Sequence, residues 1–391
     1  MTEPRSSCGV SSSMSSGEAR SQTAGYFAGH VALGLVSASL GPTLPALAAR
    51  LASETESLGL LFTARGLGYL LGSLACGRLY DRRPAHPLLV VALVVMATSM
   101  ALVPRLDSRT SLLAIMVIVG AAQGLLDVGN NTTLVRLHGP KAAPFLNALH
   151  CAYGVGAIVA PMIVVAAGRL DWAYASLALS MLPVAAWLLV IPSPALTLGP
   201  ARSEPIAAPH RPVVLAAFVL LFALCQAAEA GFGGWLYVIA SSAGFTEQGA
   251  ARILSAFWTT FTLGRLLAIG VAIRVEARTM LAADLLVSLA SVVVMLLVPG
   301  PLGLWIGTLG LGLGLASVFP VAFALAGRYL GSSGALTSRI FVGASVGTMV
   351  MPWLLGRSFE LGSSAPMIVL LIDLALAAGL LAVIVTRFEP R

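Results

Sequence analysis

Charge is what this chain has least of. Only 10% of its 391 residues are Asp, Glu, Lys or Arg, while 58% are hydrophobic, and the mean hydropathy is +0.93. A soluble protein carries about a quarter charged residues. A chain of this length cannot bury so much apolar surface in its own core, so lipid must be its solvent. Cysteine is also sparse. Cys8, Cys76, Cys151 and Cys225 have no metal-ligand spacing, and three lie in apolar runs, where they read as reduced small hydrophobes. No nucleophile–base arrangement, phosphate-cradling loop or metal-ligand cluster stands out, so neither an enzyme nor a bound cofactor or metal is expected. The net charge of +7 is scattered through short loops, which speaks to membrane topology and against nucleic acid as a partner. A serine-rich stretch, 1–24, lacks a hydrophobic pattern and is expected to be a disordered tail. The apolar run that follows at Tyr26 is too long for a signal-peptide core.

Runs of about 20 apolar residues can cross a bilayer as helices. Twelve are present, near 25–49, 57–79, 87–104, 111–137, 142–168, 172–192, 212–242, 248–273, 278–298, 301–328, 334–357 and 364–386. The segment 193–211 is polar and proline-rich and reads as a linker between two six-helix halves, 25–192 and 212–386, with 387–391 as a short tail. If the amino terminus is cytoplasmic, fifteen Lys and Arg fall on the inner side, six on the outer side, and Arg65 and Arg265 within spans. Both termini and the linker are therefore expected in the cytoplasm. The halves also repeat. Gly120-x-x-x-Gly124 matches Gly310-x-x-x-Gly314 at an offset of 190, and Gly156 to Pro161 matches Gly347 to Pro352 at 191. On that register Asp127 corresponds to Ser317. In repeat-built transporters the substrate site lies near the midplane between halves, although small-residue pairs also serve plain helix packing.

The stretch from Met116 to Pro161 concentrates the polar residues. Gln123, Asp127, Asn130 and Asn131 fall at i, i+4, i+7 and i+8 of the fourth span and share a helix face, while Asn147, His150 and Gly154 fall at i, i+3 and i+7 of the fifth. An acid at bilayer depth is expensive and belongs beside a cavity rather than lipid. Two facing stripes of acid, amide and imidazole therefore point to a wet polar site between helices.

The turn expected after the second span reads Gly77-Arg78-Leu79-Tyr80-Asp81-Arg82-Arg83. It resembles the loop signature of the major facilitator superfamily, Gly-x-x-x-Asp-Arg-x-Gly-Arg, with Pro84 and Ala85 in place of the last pair. With twelve spans, a central linker and duplicated halves, the resemblance covers about 25–386. It implies the all-α, twelve-helix major facilitator fold in two six-helix pseudo-repeats, with Gly77, Asp81 and Arg82 holding one state of an alternating-access cycle. A narrower resemblance lies in Gly124-Leu-Leu-Asp127, Asn131 and Phe145-Leu-Asn147-Ala-Leu-His150. These are similar to the fucose–proton symporter family and its animal branch of sodium-dependent glucose transporters, as are Ala64 to Tyr69 and Leu263 to Leu267. That resemblance implies cation coupling at Asp127, places the family's asparagine four residues on at Asn131, and implies sugar contacts at His150 and Tyr153, where fucose-type members have amides. Fucose-type members carry a second acid in their first helix, where this chain has Gly41-Pro42, which leaves room for simpler coupling or for another acid.

Glu229, mid-span in the seventh helix with Gln226 three residues before it, is either a sugar or cation ligand or one half of an ion pair with Arg65 or Arg265. Arg65 is either a counter-charge for coupling or a structural partner. Trp258 is favoured among the aromatics for a sugar face, since Arg265 lies seven residues on. Asp284 and Asp373 sit in peripheral helices, where local pairing or an interface contact is the expected role. The expectation is a transporter in the cell (inner) membrane that moves a hexose-like sugar with H+ or Na+. Asp127, Glu229 and Arg65 would couple the cation. Gln123, Asn130, Asn131, Asn147, His150, Tyr153, Gln226 and Trp258 would bind the sugar, and a monomer in the bilayer would suffice. Efflux of amphipathic compounds, or a lipid-handling or receptor role, are the competing readings.

Overall fold

The computed structural model describes residues 16–194, 212–331 and 334–388, without the side chains of Ser16, Gly77, Arg78, Asp81 and 334–338. These residues form α1 (Ser16–Arg50), α2 (Leu60–Arg82), α3 (Ala85–Leu102), α4 (Arg109–His138), α5 (Ala142–Ala167), α6 (Leu170–Val190), α7 (Pro212–Ser242), α8 (Glu247–Ala272), α9 (Ala277–Leu297), α10 (Pro301–Ala316), α11 (Val318–Leu330), α12 (Gly334–Ser358) and α13 (Ala365–Arg387). Among the described residues, eleven stretches are long and apolar enough to cross a membrane. One of them, Arg109–Ala167, has 59 residues, about 88 Å of helix at 1.5 Å per residue and far more than the roughly 30 Å hydrocarbon core. It is broken at Gly139, whose φ of 51° suits glycine, so it makes two crossings and the total is twelve. α10 and α11 are a single crossing interrupted at Ser317.

Two sequence expectations are corrected. The expected tail 1–24 is helical from Ser16 onward, because it docks on the end of α6. Gln22 Nε2 donates to the carbonyl of Pro192 at 2.8 Å, and Tyr26 is fully buried. Residues 1–15, like 195–211 of the expected linker, lie outside the described residues. The signature at Gly77 is not a loop either. Its backbone is helical to Arg82, and only Arg83 turns extended (φ −133°, ψ 150°), as Pro84 disfavours helix in the residue before it.

The halves repeat in packing as well as in sequence. α1 packs on α5, α2 on α4 and α3 on α6; six spans later α7 packs on α12, α8 on α10 and α9 on α13. Close approaches set the register. A Cβ on Gly72 of α2 would strike the Ala121 carbonyl of α4, and one on Gly264 of α8 would approach the Leu313 carbonyl of α10. Likewise Gly120 faces the Arg65 carbonyl and Gly312 the Phe257 carbonyl. All four residues shift by 192, not 190. Gly310 and Gly314 instead face Ser291 and Ser288 of α9, so pairing them with Gly120 and Gly124 mistook one glycine stripe for another. On the packing register Asp127 corresponds to Phe319, and the acid is again without a charged counterpart.

Between halves, α5 meets α8, α2 meets α12 and α1 meets α7. Ser255 Oγ donates to the Ile158 carbonyl at 2.7 Å, and Thr63 Oγ1 to the Met349 carbonyl at 2.7 Å. Gly41 lies so near Gly234 that a Cβ would strike its carbonyl oxygen. These contacts all lie toward one end of the bundle, the end that carries the α1–α2 connection. Toward the opposite end, where α5 begins, Asn147 and His150 are exposed.

Candidate functional site

Asp127 is built into a shell of donors. Tyr69 of α2 gives its hydroxyl hydrogen to Oδ2. Asn131, one turn on, donates Nδ2 to Oδ1 at 2.8 Å and to the Asp127 carbonyl at 3.0 Å. His30 of α1 brings Nε2 to 3.2 Å from Oδ1, off the line of an ideal hydrogen bond. An acid at the centre of a membrane helix costs about 2.5–3.5 kcal/mol, and bonds to charged groups return about 1.5–3 kcal/mol each. Two well-formed bonds are therefore enough to hold the carboxylate at this depth. On its far side, His30 Nδ1 faces Asn130 Nδ2 at 3.0 Å.

A second group gathers where the halves meet. Tyr153 of α5 stands edge-on to Trp258 of α8, with ring centroids 6.2 Å apart. The Trp258 ring is buried and its Nε1 hydrogen has no partner among the described residues. Gln226 bonds Glu229, whose charge also feels Arg265. His150 packs edge-on to His30 at 6.1 Å, and so joins this group to Asp127. Asn131, Tyr153, Gln226 and Glu229 are half-buried. The arrangement combines hydroxyl, amide and imidazole groups with an indole whose N–H is free, which is the equipment for a polyhydroxylated solute of modest size.

Other residues sit where sequence did not expect them. Asn130 is fully buried and turned to His30, so it does not line the cavity. Gln123 is 3% exposed and donates to Ser37 Oγ at 2.9 Å, which Tyr153 also engages; it supports a cavity residue from behind. Arg65 donates to the Ser37 carbonyl at 3.0 Å rather than to Asp127. Arg265 lies over the Phe261 ring at 4.4 Å and donates to the Ala316 carbonyl at 3.1 Å, capping the chain where α10 breaks. Asp284 takes the Ser317 hydroxyl hydrogen at 2.5 Å, which is local pairing. Asp373 Oδ2 is buried and has no partner among the described residues, at the edge of an apolar groove of about 400 Å³ between α7, α12 and α13. Arg82 is exposed, while the side chains of Gly77 and Asp81 lie outside the described residues.

Comparison with known proteins follows the same lines. The family model of the Major Facilitator Superfamily matches residues 26–352. The chain belongs to the major facilitator superfamily. Sodium-dependent glucose transporter 1A of Mus musculus is 29% identical over 376 residues, which is 84% of this chain and 88% of that protein. The Homo sapiens sodium-dependent glucose transporter 1 is also 29% identical, over 84% of this chain and 72% of its own length. Among solved structures, a point mutant of the nucleoside transporter NupG aligns with a TM-score of 0.80 and 13% identity over 93% of this chain and 99% of its own, which shows the fold alone.

This superfamily member is thus an integral membrane transporter, not an enzyme, and its candidate site contains three residues to which the sequence analysis gave no role, Tyr69 being named there only within the Ala64 to Tyr69 resemblance. His30, Ser37 and Tyr69 each come from a helix other than that of their partners. His30 lies 97 positions from Asp127 along the chain, and no periodicity links them. The one available signal was a histidine in an otherwise apolar span, the same kind of anomaly that singled out Asp127.

Proposed function

We propose that this transporter is a cation-coupled symporter of a hexose-like sugar, working by alternating access in the cell (inner) membrane. One observation carries the reading: Asp127, held at mid-membrane by Tyr69, Asn131 and His30, stands one imidazole away from the exposed His150 at the mouth between the halves. Charge on that acid is felt where a solute would sit. A cation that neutralises it lowers the cost of closing the cavity around it, so the loaded carrier switches and the empty, charged one resists. Names of the relatives, sodium-dependent glucose transporters, favour a sugar as the solute. Asn147, His150, Asn131, Tyr153, Gln226, Glu229 and Trp258 would meet its hydroxyls and its apolar face. With the termini and linker cytoplasmic, as the Lys and Arg distribution favours, the tight end of the bundle faces outward and the open end faces the cytoplasm. The transporter would work as a monomer, with H+ or Na+ as its only inorganic partner.

The test is uptake of radiolabelled glucose, galactose and fucose into proteoliposomes, with proton and sodium gradients imposed separately. Accumulation of one of these sugars above its equilibrium level is expected under one gradient. Equal internal and external sugar under both would overturn symport.

A further inference from the structure

We propose that the solute is a sugar acid, a hexose-like molecule whose carboxylate pairs with Arg65, so that hexuronates are taken in preference to neutral hexoses. The inference rests on the symport reading and names the charged group of its solute.

The charges around the cavity argue first. Asp127, Glu229, Arg65 and Arg265 stand in the region where the halves meet. Three of the four are answered. Asp127 has its shell of donors, and Glu229 and Arg265 feel one another. Arg65 has no such partner. Among the described residues no ion pair joins it to a carboxylate, and the titratable groups it feels are the hydroxyls of Tyr153 and Tyr174. It donates to the Ser37 carbonyl at 3.0 Å and has the Phe62 ring 5.6 Å from its Cζ. A carbonyl and a ring face bring partial negative charge and leave most of a full positive charge standing. An arginine at bilayer depth is costly and marks a substrate path. One negative charge cancels it. A carboxylate brings one charge and two oxygens that fit the planar guanidinium fork, whereas a phosphate monoester at about −1.5 to −2 overshoots. The same count fits symport. Two arginines balance Asp127 and Glu229; once a cation neutralises Asp127, one positive charge is left over, and an arriving anion removes it.

The hydrogen-bond donors argue second. A guanidinium carries five N–H hydrogens, and Arg65 spends one of them, on Ser37. Ser37 also engages the Tyr153 hydroxyl, so Arg65 and Tyr153 are fixed to one residue of α1. Arg65 and Tyr153 are both half-buried, within reach of a solute in the cavity. Tyr153 stands edge-on to Trp258, which is 6% exposed and whose Nε1 hydrogen has no partner among the described residues. Unspent N–H hydrogens from α2 and α8 therefore gather around Tyr153. A sugar hydroxyl brings a donor with its acceptor and leaves that surplus in place, while a carboxylate only accepts. The hydroxyls of the same solute find their own acceptors in Glu229, Gln226 and Asn147.

The test titrates the full chain in lipid nanodiscs by calorimetry near neutral pH, with glucose, glucuronate and glucuronamide, and with galactose and galacturonate. Glucuronamide keeps the shape of the acid and lacks its charge. At least one acid should bind about tenfold or more tightly than its parent hexose, the size of one charge-assisted bond, and glucuronamide should bind like glucose. In Arg65→Gln the ratio of acid to hexose affinity should fall to near one. In Arg65→Lys, which keeps the charge without the fork, it should stay above one. A tether between α1 and α2 with no contact to solute would weaken acid and hexose alike and leave the ratio as it was. Acids that bind no better than their hexoses in the unsubstituted carrier overturn the proposal, and that comparison needs no variant to fold. A preference that survives Arg65→Gln in a folded carrier overturns it as well. Uptake into proteoliposomes separates this proposal from symport. Preferred binding of an acid, without accumulation under a proton or a sodium gradient, would end symport and keep the Arg65 site. Accumulation of neutral hexoses, with no preference for their acids, would keep symport and end the sugar acid.

Discussion

At the scale of single residues, the proposed sugar-binding set divides into exposed or half-buried groups and groups that stand behind them. Asn147 and His150 are exposed on α5, so under the proposed function their loss would remove hydrogen bonds to a solute that has given up water to enter. Asn147→Ala and His150→Ala are each expected to weaken sugar binding by about 1–3 kcal/mol. Titration calorimetry on purified protein checks this, and wild-type affinity in both variants would place the sugar elsewhere. Trp258→Phe keeps the ring against Tyr153 but removes the free N–H. It should cost less, about 0.5–1.5 kcal/mol for one neutral bond, in the same titration. The stripe on α4 shows how far a helical wheel reaches. Asp127 and Asn131 do share a face with Gln123 and Asn130, as spacing requires. That face is wide enough to touch α1 with one edge and the cavity with the other. Spacing alone could not say which amide meets a partner helix, and Gln123 and Asn130 are the two that do.

At the scale of elements, twelve spans were legible because each is a long apolar run punctuated by Arg, Gly or Pro. Their contacts were legible only where two small residues must meet. Gly156 and Gly347 pack on α1 and α7 as the repeat required. The stripes of α10 were ambiguous, since Gly310, Gly312 and Gly314 all lie at helix contacts and only the partner helix tells which is equivalent to Gly120. The same close approaches govern the seam. Each half buries its own contacts, so a bulge at the seam should bias the opening without unfolding either half. Gly41→Ala drives a methyl group into the Gly234 carbonyl oxygen, a backbone atom that cannot rotate away. The tight end should then spread. Spin labels on the exposed Glu54 and Gln248 should report longer distances by electron–electron resonance in Gly41→Ala than in the unsubstituted carrier, with helix content unchanged by circular dichroism. Identical distance distributions would mean that α1 and α7 tolerate the methyl group and that their approach does not set the state.

At the scale of the whole molecule, the proposed orientation, with the termini in the cytoplasm, gives the two ends of the seam different sides. Contacts between halves gather at the end carrying the α1–α2 connection, and the Arg-rich segments favour placing the other end in the cytoplasm. Alternating access allows one mouth to be open at a time, so the α5 start should be reachable from the cytoplasm alone in this state. Asn147 lies on that approach, on the sixth residue of α5 and exposed. In a background with all four cysteines replaced, Asn147→Cys should react with a membrane-impermeant maleimide in inside-out vesicles at least tenfold faster than in right-side-out vesicles. Sugar should slow the reaction, because a bound solute covers the same wall of the cavity. The Gly41→Ala carrier, with its tight end spread, should narrow the difference between the two vesicle types. Fast labelling from the outside in the unsubstituted seam, with none from the inside, would reverse the orientation inferred from the arginines while leaving the geometry of the halves intact. Equal and fast labelling from both sides would instead mean that the two ends open together, and alternating access would fail for this chain.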